Sequence, residues 1–177
     1  MKKLNRTAML FFFMFLFVIP QGFPQKPAQD APALIQKVLE HALTSDSKVP
    51  DYNLLKKKNK IVVSRAVVNK FHSDITSFHS DLYPPETFPE QIGNAKLIQL
   101  SKPEIQILAD KKGDYLYLQI GEISVTGDRA EIGVSTNWAV SKKTKIKSYN
   151  SGGGYILEFI KENGEWKFNG ERRRWQS

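Results

Sequence analysis

The chain reads as an α+β domain: N-terminal helices packed on one face of a bent four- to five-stranded antiparallel sheet. Two observations carry most of that expectation. Apolar residues recur at helical spacing between positions 34 and 42, and residues 115–169 alternate apolar and polar with period two, interrupted by two-residue turn signals. A third is the Ser101-Lys102-Pro103-Glu104 capping pattern, which opens a further short helix.

The first element is an address. Lys2, Lys3 and Arg6 precede an unbroken apolar stretch from Ala8 to Ile19 that Pro20 closes, the layout of a secretory signal peptide. Its 12 residues fall short of the roughly 20 that a spanning helix needs. Residues 1–22 are therefore expected to be removed, residues 23–30 to form a Pro/Gln-rich linker, and residues 31–177 to form a single domain. The product would be secreted or periplasmic, with no stable membrane span after signal removal. The chain contains no cysteine, which excludes a disulfide framework, a lipid-modified cysteine anchor and a cysteine nucleophile.

Asp30 can cap a helix opening on Ala31-Pro32, with Leu34, Ile35, Val38, Leu39 and Ala42 on one face and Thr44-Ser45-Asp46-Ser47 as its end. The β-branched run Ile61 to Val68 reads as one strand or two short ones. Phe71, Ile75, Phe78 and Leu82 have helical spacing, and the prolines at 84, 85 and 89 mark loop. Lys96 to Leu100 reads as a short strand. The capping pattern then opens a helix with Ile105, Leu108 and Ala109 inward and Gly113 at its end.

The remainder reads as a four-stranded meander: Tyr115–Val125, a Gly127-Asp128 turn, Ala130–Val140, a polar loop, Tyr155–Lys161, an Asn163-Gly164 turn and Trp166–Asn169. Leu116, Leu118 and Ile120 alternate, but the phase resumes at Ile123, so a β-bulge is expected at Gly121-Glu122. The inner face collects Ala130, Ile132, Val134, Thr136, Trp138, Tyr155, Leu157, Phe159, Trp166 and Phe168. Tyr117, Gln119, Glu131, Ser135, Asn137, Glu158 and Lys167 fall on the other side, read as the solvent face.

The leading helix, the bend-inducing glycine and the meander ending in the hairpin Lys161-Glu162-Asn163-Gly164-Glu165-Trp166-Lys167-Phe168 together resemble the nuclear-transport-factor-like and cystatin-like group over residues 115–169. The resemblance implies a pocket between sheet and helices. It does not name a reaction, since such folds serve isomerase-like enzymes, small-ligand binders and domains without activity. An isomerase would need a base in that pocket, and the inward residues of the meander include neither a carboxylate nor a histidine. No catalytic residue is carried over.

Two readings of the chemistry follow. Phe71-His72-Ser73-Asp74 recurs seven residues on as Phe78-His79-Ser80-Asp81. Seven residues of helix rise ~10.5 Å, too far for His72 and His79 to share one metal ion, so no metal site and no cofactor are expected. A single His–Asp pair would still form an oriented base, which is the enzymatic alternative: a small isomerase or hydrolase using His72 or His79 with Asp74 or Asp81. The plainer reading makes Phe71, Ile75, Phe78 and Leu82 a core stripe with the polar residues on its wet flank. His41 is placed structurally at the end of the first helix, and Gly152-Gly153-Gly154 either opens room for a ligand or forms a hairpin entry.

The favoured reading is a non-enzymatic, exported binding or interaction domain. Its ligand would be a small apolar molecule in a cavity lined by Trp138, Tyr155 and Phe159, or an extracytoplasmic protein or anionic polymer at a basic rim. That rim comprises Lys142, Lys143, Lys145, Lys147, Arg172, Arg173 and Arg174. Of the formal charge of +8, Lys2, Lys3 and Arg6 belong to the leader, leaving 23 basic against 18 acidic residues. The excess is gathered in the rim and in Lys56, Lys57, Lys58 and Lys60. Export and the absence of a recognition motif argue against a specific nucleic-acid partner. An anionic-polymer binder would require these clusters to meet on one surface.

Overall fold

The computed structural model describes residues 27–45, 49–68, 78–145 and 151–176, with the backbone alone at 27–28 and 78–82. It is α+β, as the patterning predicts. Helix α1 (Pro27–Thr44) buries the predicted stripe completely: Leu34, Ile35, Val38 and Leu39 are 0% exposed and Ala42 1%. Asp30 does not cap it. The helix begins at Pro27, and Asp30 lies within its first turn, accepting a 2.9 Å hydrogen bond from Lys161 Nζ. That pair ties the start of α1 to the far end of the sheet.

Helix α2 (Pro50–Lys56) was not expected. At 7 residues it is too short to show periodicity, and its burial comes from packing. Tyr52 and Leu55 are wholly buried, and the Tyr52 hydroxyl donates to the Val134 carbonyl at 2.9 Å.

Eight strands form one sheet: β1 (Lys60–Val68), β2 (Phe78–Leu82), β3 (Gln91–Ile92), β4 (Ala95–Leu100), β5 (Tyr115–Thr126), β6 (Arg129–Ala139), β7 (Gly153–Glu162) and β8 (Glu165–Gln176). Their order is β3-β4-β1-β5-β6-β7-β8, with β2 paired to β1 off that path. The expectation of a purely antiparallel sheet of four or five strands is therefore corrected. The meander supplies only half of it, and β1 is parallel both to β4 and to β5. One edge of β1 is shared along its length. Lys60–Ser64 pair with β4, and Ala66 and Val68 pair with β2.

Helix α3 (Lys102–Lys112) carries the β4–β5 crossover that two parallel strands require. Its capping box forms as predicted, with Glu104 accepting from the Ser101 backbone N–H at 2.7 Å. It lies on the face opposite α1. Ile105 and Ala109 pack with Val62 and Ala139, whereas Ile61, Val63, Leu116 and Leu118 belong to the α1 cluster. The reading of helices on one face only is corrected accordingly, and the supposed solvent face is dry at its centre. Gln119 is 3% and Ser135 6% exposed. The Gln119 amide donates to the Ala66 carbonyl at 3.2 Å, beside the break in β1–β5 pairing between Ser64 and Val68.

Both predicted hairpins form, and Asn163 (φ 51°) with Gly164 (φ 85°) supply the two positive-φ positions of a type I′ turn. The β5 bulge lies between Ile120 and Ile123 as expected. Tyr83, whose hydroxyl donates to the Gly121 carbonyl at 2.8 Å, braces it. Two other segments differ from expectation. Phe78–Leu82 is a strand rather than helix, and β8 runs to Gln176 rather than ending at Asn169. Phe168, expected inward, is 47% exposed at that edge.

Candidate functional site

The strand registers bring one set of strand ends together. Lys60 pairs with Lys96, Val63 with Leu118, Tyr115 with Ala139, Thr136 with Gly153, and Gly153 with Gln176. The starts of β1, β4, β5 and β7 and the ends of β6 and β8 therefore share one end of the sheet. Two of the three basic clusters singled out in the sequence approach this end, whereas Arg172, Arg173 and Arg174 lie beside the middle of β7. Lys56, Lys57 and Lys58 close α2 just before Lys60, and Lys142, Lys143 and Lys145 follow β6. Lys111 and Lys112, at the end of α3, join them.

Three carboxylates described at this end, Asp51, Asp110 and Asp114, are committed to structure. Asp114 accepts from the Ser141 N–H at 2.7 Å and the Thr144 hydroxyl at 2.8 Å. Asp110 accepts from the Lys142 N–H at 2.8 Å and pairs with its ammonium at 3.6 Å. The Lys142 backbone bond, followed by Gln106 and the Lys142 charge, holds the Asp110 carboxyl below its ordinary range. Asp51, 3% exposed, accepts from Trp138 Nε1 at 3.1 Å. These contacts pin the start of the lysine-bearing loop. Among the described residues, no ion pair engages Lys57, Lys58, Lys60, Lys96, Lys111, Lys112, Lys143 or Lys145.

Lys60 and Lys96 are exposed and stand side by side on the α3 face of the sheet. Such like-charge neighbours are unfavourable by about 0.2–1 kcal/mol. Beside them Lys58 sits over the Tyr115 ring, 5.1 Å from its centroid. On the α1 side, a groove of about 390 Å³ is bounded by Leu43 and Thr44, by Lys56–Asn59, and by the β3–β4 turn from Ile92 to Ala95, with Ile61 beneath. At the α1 terminus next to it three carbonyls accept hydrogen bonds: Glu40 O from Thr44 Oγ1, His41 O from the Ser45 N–H, and Ser45 O from Lys56 Nζ.

The arginines of the rim lie on β8 and are partly neutralised. Arg172 pairs with Glu131, and Arg174 with Glu171 at 2.7 Å while lying 5.6 Å from the Tyr155 ring centroid. Pairing slips twice along β8, between its partners Ile156 and Leu157 and again between Glu158 and Phe159. These bulges and the charged run blunt the exposed edge against strand addition. Lys147 lies outside the described residues.

Trp138, Tyr155 and Phe159 do fall on one face, but Tyr155 is 3% and Phe159 0% exposed. Tyr155 packs on Tyr52 at 5.2 Å, and Trp138 Nε1 is held by Asp51 and Ser151. The room at Gly154 is likewise filled. A Cβ there would stand 2.3 Å from the Val134 carbonyl and 2.5 Å from the Trp175 indole, which covers the glycine.

His72 and Asp74 lie outside the described residues, and His79 and Asp81 fall on β2. Among the described residues, no group of three or more His, Asp and Glu could hold a metal ion, and no helix is long and apolar enough to cross a membrane. His41 stacks on Phe168 with centroids 4.4 Å apart, beside a second groove of about 370 Å³. Burial, and secondarily Lys56, holds its pKa below the usual 6.5, with Glu171 opposing.

Sequence reasoning posed the meeting of the basic clusters only as a condition for anionic-polymer binding, and it missed the contribution of Lys96, Lys111 and Lys112. The signal was present in Lys96, Lys111 and Lys112, but only the parallel pairing of β1 places them beside the named clusters. No family model matches the chain, and neither a curated protein nor a solved structure matches it.

Proposed function

We propose that the protein is an extracytoplasmic binding domain for a polyanionic partner, engaged through the lysine-rich end of the sheet. The observation that carries this reading is the in-register Lys60–Lys96 pair among neighbouring lysines, of which Lys57, Lys58, Lys111, Lys112, Lys143 and Lys145 have no ion pair among the described residues. A fold optimised only for stability would place a carboxylate at one of those positions. Accumulated like charge raises the local potential and attracts an oppositely charged polymer. The leader, with Lys2, Lys3 and Arg6 before Ala8–Ile19, supports export, which puts the partner outside the cytoplasm. The bent meander across α1 supports reading the fold as a variant of the cystatin-like or nuclear-transport-factor-like arrangement, extended by the parallel strands β1 and β4.

Immobilised heparin tests the reading as a model polyanion. The protein should be retained at low salt and released as sodium chloride rises and screening shortens the reach of the lysines. Lys60→Glu with Lys96→Glu should abolish retention. Salt-independent retention, or none at low salt, would overturn the proposal.

A further inference from the structure

Lys58, Lys60 and Lys96 share one row at this end of the sheet. Lys60 and Lys96 precede by two residues Val62 and Ile98, which pack on the α3 side, so both side chains rise on that face. They are in register on neighbouring strands, about 4.8 Å apart. Tyr115 opens β5 three residues before Leu118, as Lys60 opens β1 three residues before its partner Val63, so the tyrosine stands level with Lys60 on its other side. The Lys58 ammonium reaches the same row from the turn after α2, 5.1 Å from the Tyr115 ring centroid. Gln91, paired with Lys96, continues the row to the sheet edge.

We propose that this row is a subsite for a phosphate monoester carried on a soluble polymer. The inference deepens the polyanion reading by naming the charged unit of the partner, and it rests on that reading for the polymer alone. A monoester is close to a dianion at neutral pH and presents three acceptor oxygens. One such group offsets both charges of the Lys60–Lys96 pair, with Lys58 beside it as a further donor. A phosphodiester, a sulfate ester or a carboxylate brings a single negative charge and leaves that repulsion half relieved. Among the described residues no ion pair engages these lysines, so no protein carboxylate competes for them. No arginine stands in the row, and lysine acts on phosphate as a point charge, so the number of charges rather than planar geometry sets the preference. A bilayer source is disfavoured: the exposed large apolar side chains among the described residues, Leu54, Ile107 and Phe168, lie on α2, α3 and β8, outside the row.

Methyl phosphate and dimethyl phosphate isolate the charge, because the second methyl group turns the dianion into a monoanion. Each is titrated into the purified protein at about pH 7.5, above the second ionisation of the monoester, and followed by backbone amide chemical shifts. Methyl phosphate should bind at least ~5-fold more tightly than dimethyl phosphate, with the largest shifts at Lys58, Lys60 and Lys96. Lys60→Gln with Lys96→Gln should bring the two esters to equal affinity. Both side chains are exposed, and their loss removes a like-charge contact, so the variant should keep its amide spectrum elsewhere. Lys96→Gln alone should lower the preference at least ~2-fold.

Equal affinity of the two esters for the unmodified protein, or shifts as strong at Lys111, Lys112, Lys143 and Lys145 as in the row, overturns the subsite. If heparin is retained in that case, the polyanion reading survives without it; loss of both overturns both. Dextran phosphate and phosphatidic acid vesicles distinguish the source of the monoester. Tighter binding, per phosphate, to the dextran supports a polymer, and tighter binding to the vesicles overturns the polymer in favour of a lipid headgroup.

Discussion

Lys60 and Lys96 occupy the same register position on neighbouring parallel strands, both exposed and neither engaged in an ion pair among the described residues. Stability and binding therefore pull in opposite directions at this site. Lys60→Glu turns a like-charge pair into an opposite-charge pair and should stabilise the fold by about 0.5 kcal/mol in urea unfolding. The same change should weaken heparin binding by about 1 kcal/mol, roughly fivefold, at 0.1 M salt. A variant that loses stability and binding together would mark Lys60 as structural instead.

The Trp175 indole covers Gly154, and the Val134 carbonyl closes the other side. Gly154→Ala has nowhere to place its methyl, since the nearest obstacle is backbone rather than a movable side-chain tip. Overpacking of this kind should cost about 1–3 kcal/mol by denaturant unfolding. An unchanged midpoint would show that β7 and β8 separate easily at their lysine-end termini.

Tyr52 joins α2 to the centre of the sheet. Tyr52→Phe keeps the ring but removes the hydrogen bond to the Val134 carbonyl, and should lower stability by about 1 kcal/mol. Because α2 leads directly into Lys56–Lys60, amide exchange in that turn should speed up before the rest of the fold opens. Uniform acceleration across the sheet would contradict this local anchoring.

His41 provides a pH signature. Its folded-state pKa lies below 6.5, chiefly because burial disfavours the cation. As pH falls through 6.5 the unfolded chain takes up a proton that the folded chain refuses, so stability is lost until pH passes the depressed folded value. The melting temperature should decline over this interval, and His41→Gln should flatten that part of the profile by difference. An identical slope in the variant would assign the loss to other groups.

Local chemistry was legible in the chain wherever it is short-range. The α1 stripe, the Ser101–Glu104 capping box, both two-residue turns and the bulge after Ile120 depend on residues within a few positions of one another, and each forms where the pattern places it. Elements that depend on distant partners were not legible. Ile61 to Val68 reads as a strand from its β-branched residues, but nothing in that run says it will lie parallel between β4 and β5. Tyr52 and Leu55 give α2 its burial only once the sheet exists to receive them. The arginine run after Gly170 looks like a tail, because an edge strand needs no apolar alternation on its open side.

The candidate site divides along the same line. Charge and its clustering are properties of composition and order, and the lysines could be named from the chain. Their meeting is a property of register. A crossover through α3 returns β5 parallel to β1, and that direction brings Lys60, Lys96, Lys112 and the residues after Ala139 to one end. Antiparallel pairing of β1 and β5 would have placed Lys60 at the opposite end from Tyr115. Residue order therefore determined which charges exist, and the hydrogen-bonding direction of two strands, settled by burial of their apolar faces against α1 and α3, determined that they act together.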